Sequence, residues 1–213
     1  ATLCGSMYYT QPSYAAAVKL GDGAWGNSIP IVTGGGTSIG IGDSTTRAQE
    51  INSIAIGAGS LAGMQNSIAM GTGAKTDIGD SGSMTANVAI GNGAIARSMA
   101  MDIPGQTIYY SSTALGNKAV ANFEGTTAVG SQAEAQGTRG TAVGAGAYAN
   151  KLSTAVGSES KVTGTQATAI GASAKANAND TVAVGFSAAT NSIQSIAVGS
   201  KALANGSQSV AIG

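Results

Sequence analysis

The chain has no histidine and one cysteine, Cys4. Those counts exclude a His/Cys metal site and a Cys–His nucleophile. Aromatic residues make up 4% and charged residues 9% of 213 positions, so large side chains are too scarce to fill an ordinary globular core. Ten basic and ten acidic residues cancel without forming a like-signed run. No field remains that would draw nucleic acid or anionic lipid. The acidic residues are too dispersed for a recurring acid/base pair. Asp77 and Asp80 around Gly79 lack the alternating Asp/Asn ligands and closing Glu of a calcium loop. An enzyme, a metal site and a cofactor are therefore not expected. No apolar stretch approaches the ~18–20 residues that span a bilayer, and no basic segment followed by an apolar one opens the chain. The sequence reads as a mature or trimmed soluble segment.

What is abundant is glycine, 33 residues, and it is periodic. Asn52 to Gly57 reads NSIAIG, Asn66 to Gly71 NSIAMG and Gln208 to Gly213 QSVAIG. Alignment on the closing glycine gives twelve copies, at Gly42, Gly57, Gly71, Gly91, Gly116, Gly130, Gly144, Gly157, Gly171, Gly185, Gly199 and Gly213. The intervals are 15, 14, 20, 25, 14, 14, 13, 14, 14, 14 and 14, which predicts a unit of about fourteen residues stacked on its own copies. Three residues before the glycine every copy is β-branched, and one residue before it is aliphatic or Met, so the two share one face of a strand. Ala lies between them in eleven copies, with Gly40 in the first. After the glycine, small residues at the third and usually the fifth position flank a variable one: Leu61, Lys75, Ile95, Val120, Glu134, Tyr148, Lys161. That alternation predicts a second strand with small residues inward and a free outer face. Two short strands and two turns use up fourteen residues, so the coil is two-sided. A three-sided hexapeptide helix needs ~18 per coil, and an acyltransferase of that type is further disfavoured by the missing His.

The second strand covers one face of the first. The other face, carrying Ile54, Ile56, Ile68, Met70, Val88, Ile90, Val182, Val184, Ile196 and Val198, forms an apolar strip along the whole stack. Strips of that size mark association. An obligate oligomer with the strips on a common axis follows, and burial alone does not separate two-fold from three-fold closure.

A stack of NSIAIG-like units, each followed by a small-x-small pair, resembles the head of trimeric autotransporter adhesins, the YadA-like left-handed parallel β-roll. Asn52, Ser53, Ile54, Ala55, Ile56 and Gly57 match the head motif almost letter for letter, and the resemblance runs from Thr37 to Gly213. It implies an all-β homotrimer and a non-enzymatic bacterial surface adhesin that meets host matrix or receptor proteins. The neck, stalk and C-terminal membrane barrel of that family are missing, so a piece cut from a longer protein is expected, with membrane attachment only through that anchor. Competing readings are a trimeric virus or phage fibre segment and an ice-binding solenoid; the latter needs a flat array of paired Thr, and only Thr163-Gly164-Thr165 offers one.

Three departures from the rhythm remain. Residues 1–36 hold Tyr8, Tyr9, Tyr14 and Trp25 off the period and are expected to form an irregular N-terminal cap on the 37–213 roll. Insertions at 77–86 and 97–111 fall at the same corner of the coil. The longer carries Met99, Met101, Ile103, Ile108, Tyr109 and Tyr110, types suited to protein contacts, and two readings stand: it docks a partner, or it braces the neighbouring chain. Finally, Thr113, Thr127, Thr141, Thr154 and Thr168 occupy the β-branched position in consecutive copies. Their hydroxyls either make a hydrated or ion-holding segment on the axis or satisfy one another by cross-coil hydrogen bonds, and the second is expected.

Overall fold

The computed structural model describes residues 18–21, 31–32, 37–77, 86–98, 101–103, 106–108 and 110–213, with side chains for 37–76, 86–98 and 110–213. Met99, Tyr109, Cys4, most of 1–36 and most of the 77–86 insertion lie outside the described residues.

Strands and turns alternate with the period of the sequence, and the described residues contain no helix. Strands such as Ile54–Ile56, Ile68–Met70 and Thr127–Val129 join one 13-stranded sheet, while Leu61–Ala62, Glu134–Ala135 and Tyr148–Ala149 belong to a second sheet of twelve. Every strand in both sheets pairs in parallel with its equivalent one coil away, as in Ile54↔Ile68, Ala55↔Ala69 and Ile56↔Met70. The first sheet also reaches upstream of the twelve sequence copies, where Val18–Gly21 pairs with Ile39–Gly42. The architecture is a parallel β-solenoid with two sheets back to back.

The interior explains the composition. Ala55, Ala69, Ala114, Ala128 and Ala142 at the centres of first-sheet strands, and Ala62, Ala121, Ala135 and Ala149 in the second sheet, are all fully buried. Methyl groups from both sheets meet across a gap so thin that the bulkiest side chain wholly inside it is Val162. A larger residue would push the sheets apart. In six copies a hydroxyl at the residue four before the closing glycine shuts the turn that precedes the first strand. Ser67 Oγ donates to the Met64 carbonyl at 2.6 Å, Ser153 Oγ to Asn150 at 2.6 Å and Thr181 Oγ1 to Ala178 at 2.8 Å. Each link is local, which is how Ser and Thr compete for turns.

The corners account for the invariant glycine. Gly130 has φ +133°, and a Cβ added there would stand 2.5 Å from the Gly144 carbonyl oxygen in the next coil. Two residues further on the backbone is left-handed again, but at Gly73, φ +67°, an added Cβ meets nothing within 4 Å. This second position accordingly accepts side chains, as at Lys118, Gln132 and Glu159 with φ 54–58°. The glycine that never varies is the one pressed against its own next copy, and the one that varies is the one facing open space.

Candidate interaction surfaces

Three surfaces emerge from this scaffold. The first is the outer face of the 13-stranded sheet. Since Ala points inward from the middle of each three-residue strand, the residues on either side point outward. Ile54, Ile56, Ile68, Val88, Val182 and Val184 are half-buried in the single chain, while Met70, Ile90, Ile196 and Val198 are 36–39% exposed. All ten strip residues named from the sequence thus lie on one face, in two columns, with no charged residue between them in register. The five Thr continue the β-branched column through the middle of the strip, each half-buried. The expectation that they satisfy one another is not met: among the described residues none of their hydroxyls takes a hydrogen bond within the chain. Hydroxyls at equivalent positions one coil apart do meet elsewhere, as Thr126 Oγ1 and Ser112 Oγ at 3.2 Å, but the five outward Thr make no such bond.

The second surface is the long insertion. It contains an antiparallel ribbon, Met101–Ile103 against Gln106–Ile108, with Met101↔Ile108, Asp102↔Thr107 and Ile103↔Gln106 in register. No other pairing in the described chain is antiparallel. The period of two places Met101, Ile103, Gln106 and Ile108 at positions of one face and Asp102 and Thr107 at positions of the other. Both stems of the insertion meet at one buried amide. Asn87 Nδ2 donates to Ser98 Oγ at 2.9 Å, Ser98 Oγ donates back to Oδ1 at 3.1 Å, and the Ser112 amide donates to Oδ1 at 2.8 Å. Ser112 Oγ then donates to the Phe123 carbonyl at 2.6 Å. Asn87, Ser98 and Ser112 are fully buried, so this network is shielded from water and holds the two stems at fixed spacing.

Tyr110 closes the insertion on its own chain. Its hydroxyl accepts a hydrogen bond from Arg139 Nη2 at 2.9 Å, and the guanidinium carbon lies 4.8 Å from the ring centroid. The ring sits over the turn at Gly125, where an added Cβ would be 3.5 Å from Tyr110 Cβ. Of the six insertion residues named from the sequence, Tyr110 is the one whose side chain is described; Met101, Ile103 and Ile108 are placed on the ribbon by their backbone. The periodicity did not single out Asn87 or Arg139. For Asn87 a signal existed, since it alone puts Asn four residues before the closing glycine, where the other copies have Ser, Thr, Gly or Ala.

The third surface is the outer face of the second sheet. Register places Glu134 beside Tyr148 and Tyr148 beside Lys161. Gly146 supplies no side chain at the corner where adjacent coils have Gln132 and Glu159. A groove of about 570 Å³ opens there, lined by Lys118, Val120, Gln132, Glu134, Gly146, Ala147, Tyr148, Glu159 and Lys161. Lys161 Nζ stands 5.8 Å from the Tyr148 ring centroid. The groove is mixed in charge, with an aromatic floor and no clustered nucleophile. Among the described residues no group of His, Cys, Asp or Glu could hold a metal ion. Asp43, at the first corner, accepts from Thr45 Oγ1 at 2.6 Å and from the Thr45 amide at 2.9 Å. The Thr45 hydroxyl and then its amide hold that carboxyl below its ordinary range.

Flat stacked coils with small residues inside, an apolar strip on one face and variable polar residues on the other define a repetitive β-roll built to present surface. Residues 48–74, 62–81, 110–133, 124–147, 150–174, 163–188 and 191–213 match the YadA head domain repeat (2 copies). These matches cover more than half of the chain, and the chain belongs to the YadA head repeat family, the non-enzymatic heads of surface-displayed bacterial adhesins. The longest unmatched stretch between them, 82–109, contains Asn87 and the ribbon. The collagen-binding domain of the Yersinia adhesin YadA, a solved structure, aligns over 94% of this chain and 82% of its own at 22% identity, with a TM-score of 0.33. No curated relative matches. The assignment rests on the repeat match.

Proposed function

We propose that the chain is the head of a homotrimeric adhesin, a left-handed roll over 37–213 capped by 1–36, whose first-sheet strips close around a shared axis. The bound partner is a host matrix or cell-surface receptor protein. The head is displayed at the bacterial surface by an outer-membrane anchor of the full-length protein. The observation that carries this reading is the strip itself: from Ile54 to Val198, aliphatic, Met or Thr residues point outward from the first-sheet strands, partly exposed, with no charge among them. Burying ~50 Å² on each such residue contributes roughly 1 kcal/mol at ~25 cal/mol/Å², and the contribution recurs in every coil. The outward second sheet, repeated three times around the axis, then supplies multivalent contact. The clamped ribbon with Met99, Met101, Ile103, Ile108, Tyr109 and Tyr110 is a distinct site on the same rod, because loops held rigidly by a scaffold are where binding residues concentrate.

Light scattering tests the assembly. A mass of three times 20.5 kDa is expected, and a monodisperse monomer at micromolar concentration refutes it. For the ribbon, Met101→Ser with Ile108→Ser should weaken capture on immobilised matrix proteins at least tenfold, about 1.4 kcal/mol. Trimer mass and melting temperature should stay unchanged. Full affinity at full stability removes the ribbon from the binding surface.

A further inference from the structure

A stack of near-identical coils has a problem of alignment. If three such rods associate through their strips, as proposed above, sliding one chain by a single coil brings almost the same backbone and almost the same apolar residues into contact. Backbone pairing within each chain does nothing to prevent this, and weakly specified faces are prone to slippage. The one long-range irregularity along the strip is the block of Thr113, Thr127, Thr141, Thr154 and Thr168. These five lie in unbroken register, Thr113↔Thr127↔Thr141↔Thr154↔Thr168, and are bounded by Val88 on one side and Val182 on the other. Among the described residues none of the five hydroxyls is hydrogen-bonded within the chain, so each must find its partner across the interface or in water held there.

We propose that this Thr block is a registration element whose partner is another copy of the chain: it selects the assembly in which equivalent coils lie level. In the aligned arrangement every Thr faces Thr, and hydroxyls from different chains can bond to one another or share a water. A slip by one coil sets one Thr against Val88 at one end and another against Val182 at the other, burying hydroxyls against apolar side chains without partners. Each further coil of slip adds a mismatched layer at both ends, until the blocks no longer overlap. A contiguous block therefore opposes slips of every size up to its own length, whereas alternating Thr and Val would tolerate a slip of two. Isolated polar residues that fix the alignment of otherwise apolar helical interfaces work on the same principle.

The test reads axial alignment directly. In a Cys4→Ser background, one population is spin-labelled at Ser131→Cys and another at Ser200→Cys, both exposed corner sites. Trimers are formed from the two with excess unlabelled chain. The sites are five coils apart, roughly 24 Å along the rod at about 4.8 Å per coil, so the distance between labels on different chains changes by several ångströms for each coil of slip. The parent should give one distance for this pair. Replacing all five Thr by Val, which retains β-branching, should keep the trimer mass and split that distance into components offset by one or more coils. A single unchanged distance in the five-Val variant, or several distances in the parent trimer, overturns the proposal. A parent that is monomeric by light scattering instead refutes the trimeric reading beneath it. A second variant covers failure of the five-Val chain to assemble. Val88→Thr with Thr168→Val moves the block by one coil without changing composition. Labelled at 131 and mixed with parent labelled at 200, it should shorten the separation from five coils to four, and an unshifted distance overturns the proposal.

Discussion

Replacing Gly130 by Ala tests whether the invariant glycine is a matter of steric contact between coils. The perturbation adds one methyl carbon, 2.5 Å from the Gly144 carbonyl oxygen and 2.6 Å from its carbon. Relief requires a shift of several tenths of an ångström, but both coils are pinned: the Gly130 amide donates to Leu115 and the Gly144 amide to Val129, each at 2.8 Å. Stretching one or two such bonds costs about 1 kcal/mol each, and a non-glycine residue at φ +133° adds roughly 1–3 kcal/mol. A total of about 2–5 kcal/mol per chain is expected. At ~2–4 °C per kcal/mol for a chain of this size, the melting temperature should fall by roughly 10 °C. Gly73→Ala is the matched control. It has the same chemistry and a positive φ of +67°, but no atom lies within 4 Å of the new Cβ, so the left-handed penalty of about 1 kcal/mol is all that applies. Thermal unfolding followed by circular dichroism compares the two directly. If both variants melt together, contact between coils is not what reserves the closing position for glycine.

Much of this fold was legible because its constraints are local and recur. Both strand faces followed from the alternation of β-branched, Ala and aliphatic residues, and buried Ala55 between half-exposed Ile54 and Ile56 is the pattern that the period of two requires. Other features were carried by departures from the motif and were missed. Val18–Gly21 keeps the β-branched, aliphatic and glycine positions but has Lys19 where Ala is usual, and the next motif glycine is 21 residues on, so a search for regular copies passes over it. The ribbon had its own signal in Pro104-Gly105, a turn dipeptide between two runs of alternating residues. The row of Ser and Thr four residues before the glycine was legible as small and polar, but its role depends on a carbonyl three residues earlier that curls back only once the turn exists. The Thr column failed for a different reason. Side-chain ladders bridge adjacent coils where the groups turn toward one another, as Asn177, Asn191 and Asn205 do at 2.8 and 2.7 Å and Thr126 does with Ser112 at 3.2 Å, and the outward Thr hydroxyls make no such bond. The partner of Tyr110 within the chain was not legible either, because Arg139, 29 residues away, is brought beside it only by two coils of stacking.

The remaining predictions probe the interior, the insertion and the corners. Ala133→Leu should overfill the gap between the sheets and cost ~1–3 kcal/mol or more, because Ala133 is fully buried, while Glu134→Leu on the half-buried outer face should be tolerated; equal melting temperatures would mean that the faces of the second strand are misassigned. Asn87→Leu strands the Ser112 amide in the interior, so a loss of about 1–3 kcal/mol and faster hydrogen exchange at Ser112 are expected, and parental exchange would show that the clamp does not hold the stems. The Asp43 carboxyl is held below its ordinary value of 3.8 by Thr45, so its contribution is present above the unfolded value and is lost as pH falls through the lower folded one. The acid limb of stability should therefore flatten in Asp43→Asn, and an unchanged limb would remove Asp43 as its source. Thr190→Val is expected to stabilise. The Thr190 hydroxyl is fully buried and has no hydrogen-bond partner, and Val162, which stands five residues after its own closing glycine just as Thr190 does, shows that the roll accommodates Val at this position. The exchange keeps the branched shape and removes an orphaned hydroxyl, whose burial costs about 1–3 kcal/mol, so a rise of a few degrees in melting temperature should follow. A fall would mean that the hydroxyl is bonded in the protein, through a water or a rotated neighbour, and that the interior at this coil is less dry than the in-register neighbours Ala176 and Ala204 imply.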